Sequence, residues 1–179
     1  MKIKNHRLQD INFLESPNFN DRPLDEDISL LVIHSISLPP KKYDTDHIER
    51  FFLNELDFSS HNFYKNIDGM KVSAHVLIKR NGEIIQFVPF NKRAWHAGVS
   101  TFNGKDDCNN FSIGIELEGS DDDIFEDIQY EQLSLITSLL MQEYDLISKS
   151  NIKGHSDIAP ERKTDPGPLF DWERYLKNV

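Results

Sequence analysis

The sequence predicts an α/β fold, a central sheet with helices packed on it. Three observations carry that expectation. Leu30-Leu31-Val32-Ile33 is a continuous apolar run of the kind that forms a buried central strand. Asn81-Gly82 lies between two apolar runs, a pattern that marks a β-hairpin. Leu133, Ile136, Leu139, Leu140 and Tyr144 share one stripe of a segment running from Gln129 to about Leu146, which reads as an amphipathic helix.

The elements follow in order. Residues 1–27 are polar, with Pro17 and Pro23, and read as an extended arm laid over the core. The strand from Leu30 runs on through His34 and Ser35 to Ile36, and Pro39-Pro40 stops it. Asp44-Thr45-Asp46 reads as a helix N-terminus, with Ile48, Phe51, Phe52, Glu55 and Leu56 following at helical spacing. The hairpin spans Val72 to Lys79 and Glu83 to Val88. Phe111 to Glu118 reads as a strand with Ile113, Ile115 and Leu117 on one face and Gly114, Glu116 and Glu118 on the other. A short terminal helix is expected from Asp171 to Lys177.

The length of 179 residues fits one domain, residues 1–179, with a sizeable core. A formal net charge of -10 argues against a nucleic-acid binder, since polyanions are held by clustered Lys and Arg. The one cysteine, Cys108, forms no internal disulfide, which suits a reducing compartment. Met1 to Arg7 leads into polar residues rather than an apolar signal core, and no run is long enough to span a membrane. The expectation is therefore a cytoplasmic chain that binds neither nucleic acid nor membrane; protein partners are left open.

Gly154-His155-Ser156-Asp157 through Thr164-Asp165-Pro166-Gly167-Pro168 places a His, a Lys and an Asp in one turn-rich loop. Zinc favours imidazole nitrogen and carboxylate oxygen, and a catalytic site keeps three protein ligands plus a water. His34, at the end of a buried strand, joins His155 and Asp165 in such a set. His6, His47 and His61 read as solvated and His75 as structural; His96 is left open between cleft lining and internal hydrogen bonding. On spacing alone, Glu116 and Glu118 are equal candidates for a catalytic carboxylate.

Val72-Ser73-Ala74-His75, Arg93-Ala94-Trp95-His96-Ala97-Gly98, Ser112-Ile113-Gly114-Ile115-Glu116-Leu117-Glu118-Gly119 and the Gly154–Pro168 loop together resemble the zinc-dependent N-acetylmuramoyl-L-alanine amidases. Within them, the chain is most similar to the cytosolic 1,6-anhydro-N-acetylmuramyl-L-alanine amidases of the AmpD type, from about Arg22 to Trp172. The resemblance implies a central mixed sheet flanked by helices, as in peptidoglycan-recognition proteins. It implies one Zn²⁺ per chain on His34, His155 and Asp165, with Glu116 and Lys163 catalytic. It also implies a soluble muropeptide as substrate, cut at the lactyl amide between (1,6-anhydro-)N-acetylmuramic acid and L-Ala in cell-wall recycling.

Three positions depart from the family pattern. Ser35 stands where an Asn is common, Lys71 where an Arg is common, and an arginine that helps bind peptide carboxylate is replaced near Asp107. Lys lacks the planar fork of Arg, so a bidentate carboxylate contact is weakened. Ser35, Lys71 and Trp95 are the candidate substrate-binding residues, Trp95 as a flat face for the sugar. Lys92 and Arg93 are further candidates for attracting an anionic peptide. Two other functions compete with cell-wall recycling. A lytic amidase on intact peptidoglycan requires export or release, and a non-catalytic peptidoglycan-binding module typically lacks a metal ligand.

Overall fold

The computed structural model describes residues 1–179. Its strands are β1 (Ile3–Lys4), β2 (Arg7–Leu8), β3 (Asn12–Phe13), β4 (Phe19–Asp21), β5 (Leu30–Ile36), β6 (Val76–Ile78), β7 (Ile84–Gln86), β8 (Lys92–Ala94), β9 (Thr101–Phe102), β10 (Lys105–Asp106), β11 (Ser112–Glu118) and β12 (Ile152–Gly154). The helices are α1 (His47–Phe52), α2 (Asp127–Glu143), α3 (His155–Ile158) and α4 (Trp172–Lys177). The main sheet has six strands in the order β12-β5-β11-β6-β7-β3. β12, β5, β11 and β6 run parallel, and β6 and β7 are antiparallel, so the sheet is mixed as expected.

Both faces of the sheet are covered, which is why β5 opens as an unbroken apolar run rather than an alternating one. Ile113, Ile115, Leu117, Leu31 and Ile33 face Leu133, Ile136 and Leu140 of α2 and Tyr175 of α4 in the largest core cluster. A second cluster gathers Ile48, Phe51 and Phe52 of α1 against Leu77, Ile85 and Phe87. The alternation along β11 therefore sends Gly114, Glu116 and Glu118 toward the face that α2 does not cover.

Several boundaries differ from the sequence reading. α1 ends at Phe52, and Glu55 and Leu56 lie beyond it: Asn54 turns the chain at φ +61°. Leu56 still reaches the core, so its apolar spacing reported burial rather than helix. α2 starts earlier, where Glu126 donates its backbone N–H to Gln129 Oε1, and stops before Tyr144, whose backbone is extended. The hairpin strands are shorter than their apolar runs. Ser73 and His75 instead donate their backbone N–H groups to Trp95 and Gly114 carbonyls.

The first 27 residues are stitched to the core by pairing. β3 forms an edge of the main sheet beside β7, and β4 pairs with β8. Arg22, just beyond β4, drives its guanidinium inward to donate to the carbonyls of Phe90, Asn109, Asn110 and Ser112. Burial pulls the Arg22 pKa down to about 10.

Candidate active site

Three parallel strands deliver the site from their C-terminal ends, where open α/β sheets place their ligands. His34 and Glu116 are register partners on β5 and β11, so they sit side by side on one face. His155 is the first residue of α3, immediately after β12. Asp165 comes from the following loop. That loop is tied back to α3 by a hydrogen bond from Ser156 N–H to the Asp165 carbonyl, 3.0 Å.

The three groups converge. His34 Nδ1 lies 3.0 Å from His155 Nδ1 and 3.0 Å from Asp165 Oδ2, and His155 Nδ1 lies 3.1 Å from the same oxygen. His34 and His155 are 1% and 2% exposed. The other nitrogen of His155, Nε2, donates to the Ala97 carbonyl at 3.0 Å, so a neutral His155 presents a lone pair at Nδ1. Such a triangle holds too few protons to satisfy every contact, whereas a cation satisfies all three at once. A tetrahedral zinc with bonds of about 2.0–2.1 Å spaces its ligands roughly 3.3 Å apart, close to what is seen. The donor set therefore fits the metal.

The electrostatics agree. Burial, reinforced by the neighbouring His155, lowers the His34 pKa to about 4, which keeps its imidazole neutral. Burial pushes the Asp165 carboxyl up, but its close contacts with the two imidazoles outweigh it and hold the group below the usual carboxylate range.

Beside the triangle lies a cleft of about 290 Å³. Glu116, Lys163, Ser35, Trp95 and His96 line it on the polar side; Phe51, Phe52, Phe63, Ile67, Met70 and Val72 form an apolar wall. Glu116 is 9% exposed, and its Oε2 has no hydrogen-bond partner. Burial raises its pKa well above the ordinary value; the Asp165 charge adds to the rise and Lys163 opposes it. Glu118 is used differently: its two oxygens accept from the backbone N–H groups of Asp44 and Arg80. Glu118 thus fastens two loops, whereas Glu116 lines the cleft and has a buried oxygen, Oε2, without a hydrogen-bond partner.

A family model described as N-acetylmuramoyl-L-alanine amidase matches residues 24–168. The chain belongs to that amidase family. The 1,6-anhydro-N-acetylmuramyl-L-alanine amidase AmpD of Haemophilus influenzae is 52% identical over 177 residues, covering 99% of this chain and 96% of its own. The AmpD of Escherichia coli K12 is 53% identical over 160 residues, covering 89% and 87%. The crystal structure of a selenomethionine AmpD derivative superposes with a TM-score of 0.97 at 49% identity, covering 100% and 99%. The Escherichia coli amidase AmiD, in complex with anhydro-N-acetylmuramic acid-L-Ala-D-γ-Glu-L-Lys, superposes with a TM-score of 0.61 at 29% identity, covering 90% and 65%.

Placed in the amidase fold, the remaining sequence candidates separate. Trp95 lines the cleft and donates its indole N–H to Asn20 Oδ1 of the N-terminal arm, 2.7 Å. Ser35 also lines it, with its hydroxyl given to Asp121 at 3.1 Å. Lys71 is exposed and is not among the lining residues, although its neighbours Met70 and Val72 are. Lys92 is paired with Asp21, and Arg93 donates to Asn110 and Asn20, so both are engaged by the arm and its surroundings.

His47 is not a solvated histidine: it contacts the Leu38 carbonyl and the Tyr64 hydroxyl. His6 likewise meets the Tyr144 hydroxyl at 2.9 Å. His75 is fully buried, accepting from Gly114 N–H and donating to the Lys92 carbonyl. His96, left open by the sequence, lies 2.9 Å from His34. The signal that could have found it is the Ser112-Ile113-Gly114 segment, where a missing side chain makes room for a ring.

Proposed function

We propose that this chain is a zinc-dependent amidase, one domain over residues 1–179, that hydrolyses the lactyl amide joining (1,6-anhydro-)N-acetylmuramic acid to L-Ala in soluble muropeptides of the cytoplasm. The observation that carries the reading is the convergence of His34, His155 and Asp165 next to a buried carboxylate with a free oxygen. The whole-length likeness to amidases acting at that bond supports the substrate class. The anhydromuropeptide held by the related AmiD supports a soluble fragment as the thing bound. No helix is long and apolar enough to cross a membrane.

His34, His155 and Asp165 would hold the zinc through Nδ1, Nδ1 and Oδ2. Zinc supplies Lewis acidity, which makes water nucleophilic at neutral pH and polarises a carbonyl. Glu116 takes the proton of the attacking water on its carboxylate, and its raised pKa makes it able to return that proton to the departing amine. Lys163, on the cleft wall, offers an ammonium to the oxygen on which negative charge develops. An apolar wall of Phe51, Phe52, Phe63, Ile67, Met70 and Val72 lines the same cleft. Trp95 presents an aromatic face for the sugar, and Ser35 stands at the mouth beside Asp121.

The test is mass spectrometry of products from a defined anhydro-muropeptide, with sacculi assayed in parallel. The expected products are the free lactyl acid and an Ala-headed peptide. Chelation abolishes their formation and Zn²⁺ restores it. Full turnover in verified metal-free protein overturns the zinc reading; preferential release from sacculi overturns the soluble substrate in favour of a lytic role.

A further inference from the structure

We propose that His96 is a positioning residue for the metal centre: its Nδ1 accepts the Nε2 proton of His34 and holds that imidazole in the tautomer and orientation that leave Nδ1 for the ion. The inference rests on the zinc reading above and goes beyond it, to a residue outside the ligand set.

The two nitrogens of His34 face different ways. Nδ1 enters the triangle with His155 and Asp165, and Nε2 lies 2.9 Å from His96 Nδ1. A histidine that gives one nitrogen to a metal carries its proton on the other, and the acceptor of that proton sets the ring's tautomer and angle. For His155 the acceptor is a main-chain carbonyl, Ala97 O, which can only accept. For His34 it is another imidazole, which could also donate. Something must therefore decide the tautomer of His96.

Two features do so. His96 Nε2 lies 3.1 Å from Ser112 Oγ, a hydroxyl able to accept its proton. With the proton there, Nδ1 is left as an acceptor toward His34. Gly114 supplies the second feature. A Cβ at that position would stand 2.5 Å from both Cγ and Nδ1 of His96, so the ring occupies a slot on β11 that only glycine leaves open. In that slot the His34 and His96 rings meet edge to face, 86° apart. Asn109 completes the support, its Oδ1 accepting from the backbone N–H groups of His96 and Ala97 at 3.1 and 2.8 Å. One side chain thereby anchors the residues that provide both outer acceptors.

The test compares His96→Phe, which fills the slot without an acceptor, with His96→Asn, whose Oδ1 can stand in for Nδ1. Zinc affinity is read by competition with a chromophoric chelator, and folding of the metal-free variants by thermal melts. The expected result is about 10–100-fold weaker zinc binding in His96→Phe, with most of the loss recovered in His96→Asn. A folded His96→Phe that binds zinc within threefold of the unsubstituted protein overturns the proposal. Ring-nitrogen NMR of the zinc-loaded, unsubstituted protein needs no variant. Protons on Nε2 of both His34 and His96 support the relay, and a proton on His96 Nδ1 overturns it. An unsubstituted protein that takes up no zinc overturns the metal reading itself, an outcome distinct from unchanged affinity in the variant.

Discussion

Glu116 and Glu118 are the same residue type on the same face of one strand, and they do different things because their oxygens have different partners. Glu118 is spent on two backbone N–H groups. Glu116 keeps an oxygen free beside the ligand triangle. Replacing Glu116 by Gln is expected to leave zinc uptake intact and to lower kcat by roughly 10²–10⁴-fold, measured on a defined muropeptide. As the proposed base, Glu116 must be ionised to accept a proton, and its pKa is raised by burial. Activity therefore rises with pH through a value above the ordinary 4.5, and the acid limb of kcat/KM is the measurement that checks it. Glu118→Gln has the opposite signature: kcat per folded molecule is kept, and stability drops by about 1–3 kcal/mol as a loop anchor is lost, read from urea midpoints. Lys163→Met is expected to keep zinc and to slow turnover roughly 10²–10³-fold, as for other lost oxyanion donors.

At the scale of elements, the loop after α3 carries both Lys163 and Asp165 and is held by close main-chain contact. Gly167 sits at φ +91°, and a Cβ there would lie 2.2 Å from the Asp121 carbonyl oxygen and 2.3 Å from its Cα. Backbone atoms cannot give way as a flexible side chain can. Gly167→Ala is therefore expected to displace the loop, at a cost of about 1–3 kcal/mol, and to weaken zinc binding although residue 167 touches no ligand. A thermal melt and a chelator competition on the same sample check both effects; unchanged values in the two would show that the loop is not held at this point. The parallel strands are the rigid partners. The register of β5 with β11 places His34 against Glu116 whatever the loop does.

For the whole molecule, the N-terminal arm, the main sheet and the segment carrying Trp95 and His96 meet around His75. Burial, with the Arg22 charge second, lowers the His75 pKa to about 3 from 6.5. The unfolded chain takes up that proton first as pH falls. The contribution of His75 to stability is thus complete above about pH 6.5 and is lost progressively toward pH 3. The expected slope from this one group reaches about 1.4 kcal/mol per pH unit within that window. Urea midpoints from pH 6.5 to 4 at fixed zinc concentration measure it, and His75→Asn is expected to flatten the curve. Much of the larger pattern was legible without coordinates. The strand faces of β11, the buried run of β5 and the stripe of α2 follow from periods of 2 and 3.6, because burial repeats with the geometry of the backbone. The residue types that converge as a possible metal site were legible too, two of the three because the turn-rich loop concentrates them. Helix ends were not, since Leu56 reaches the core from outside α1.

The sequence by itself determined the α/β class, the face of each strand and the residue types able to hold zinc; these depend on local periodicity and on chemistry that travels with the side chain. Only the tertiary structure decided which carboxylate has a free oxygen, that Lys92 and Arg93 are engaged by the arm, and that His96 stands behind His34. Those outcomes depend on neighbours that the chain brings together from far apart, as with His34 and Asp165, separated by 131 positions and joined at 3.0 Å. A strand's period specifies a direction for each side chain. What it meets in that direction is set by the order β12-β5-β11 and by the loops that close over it.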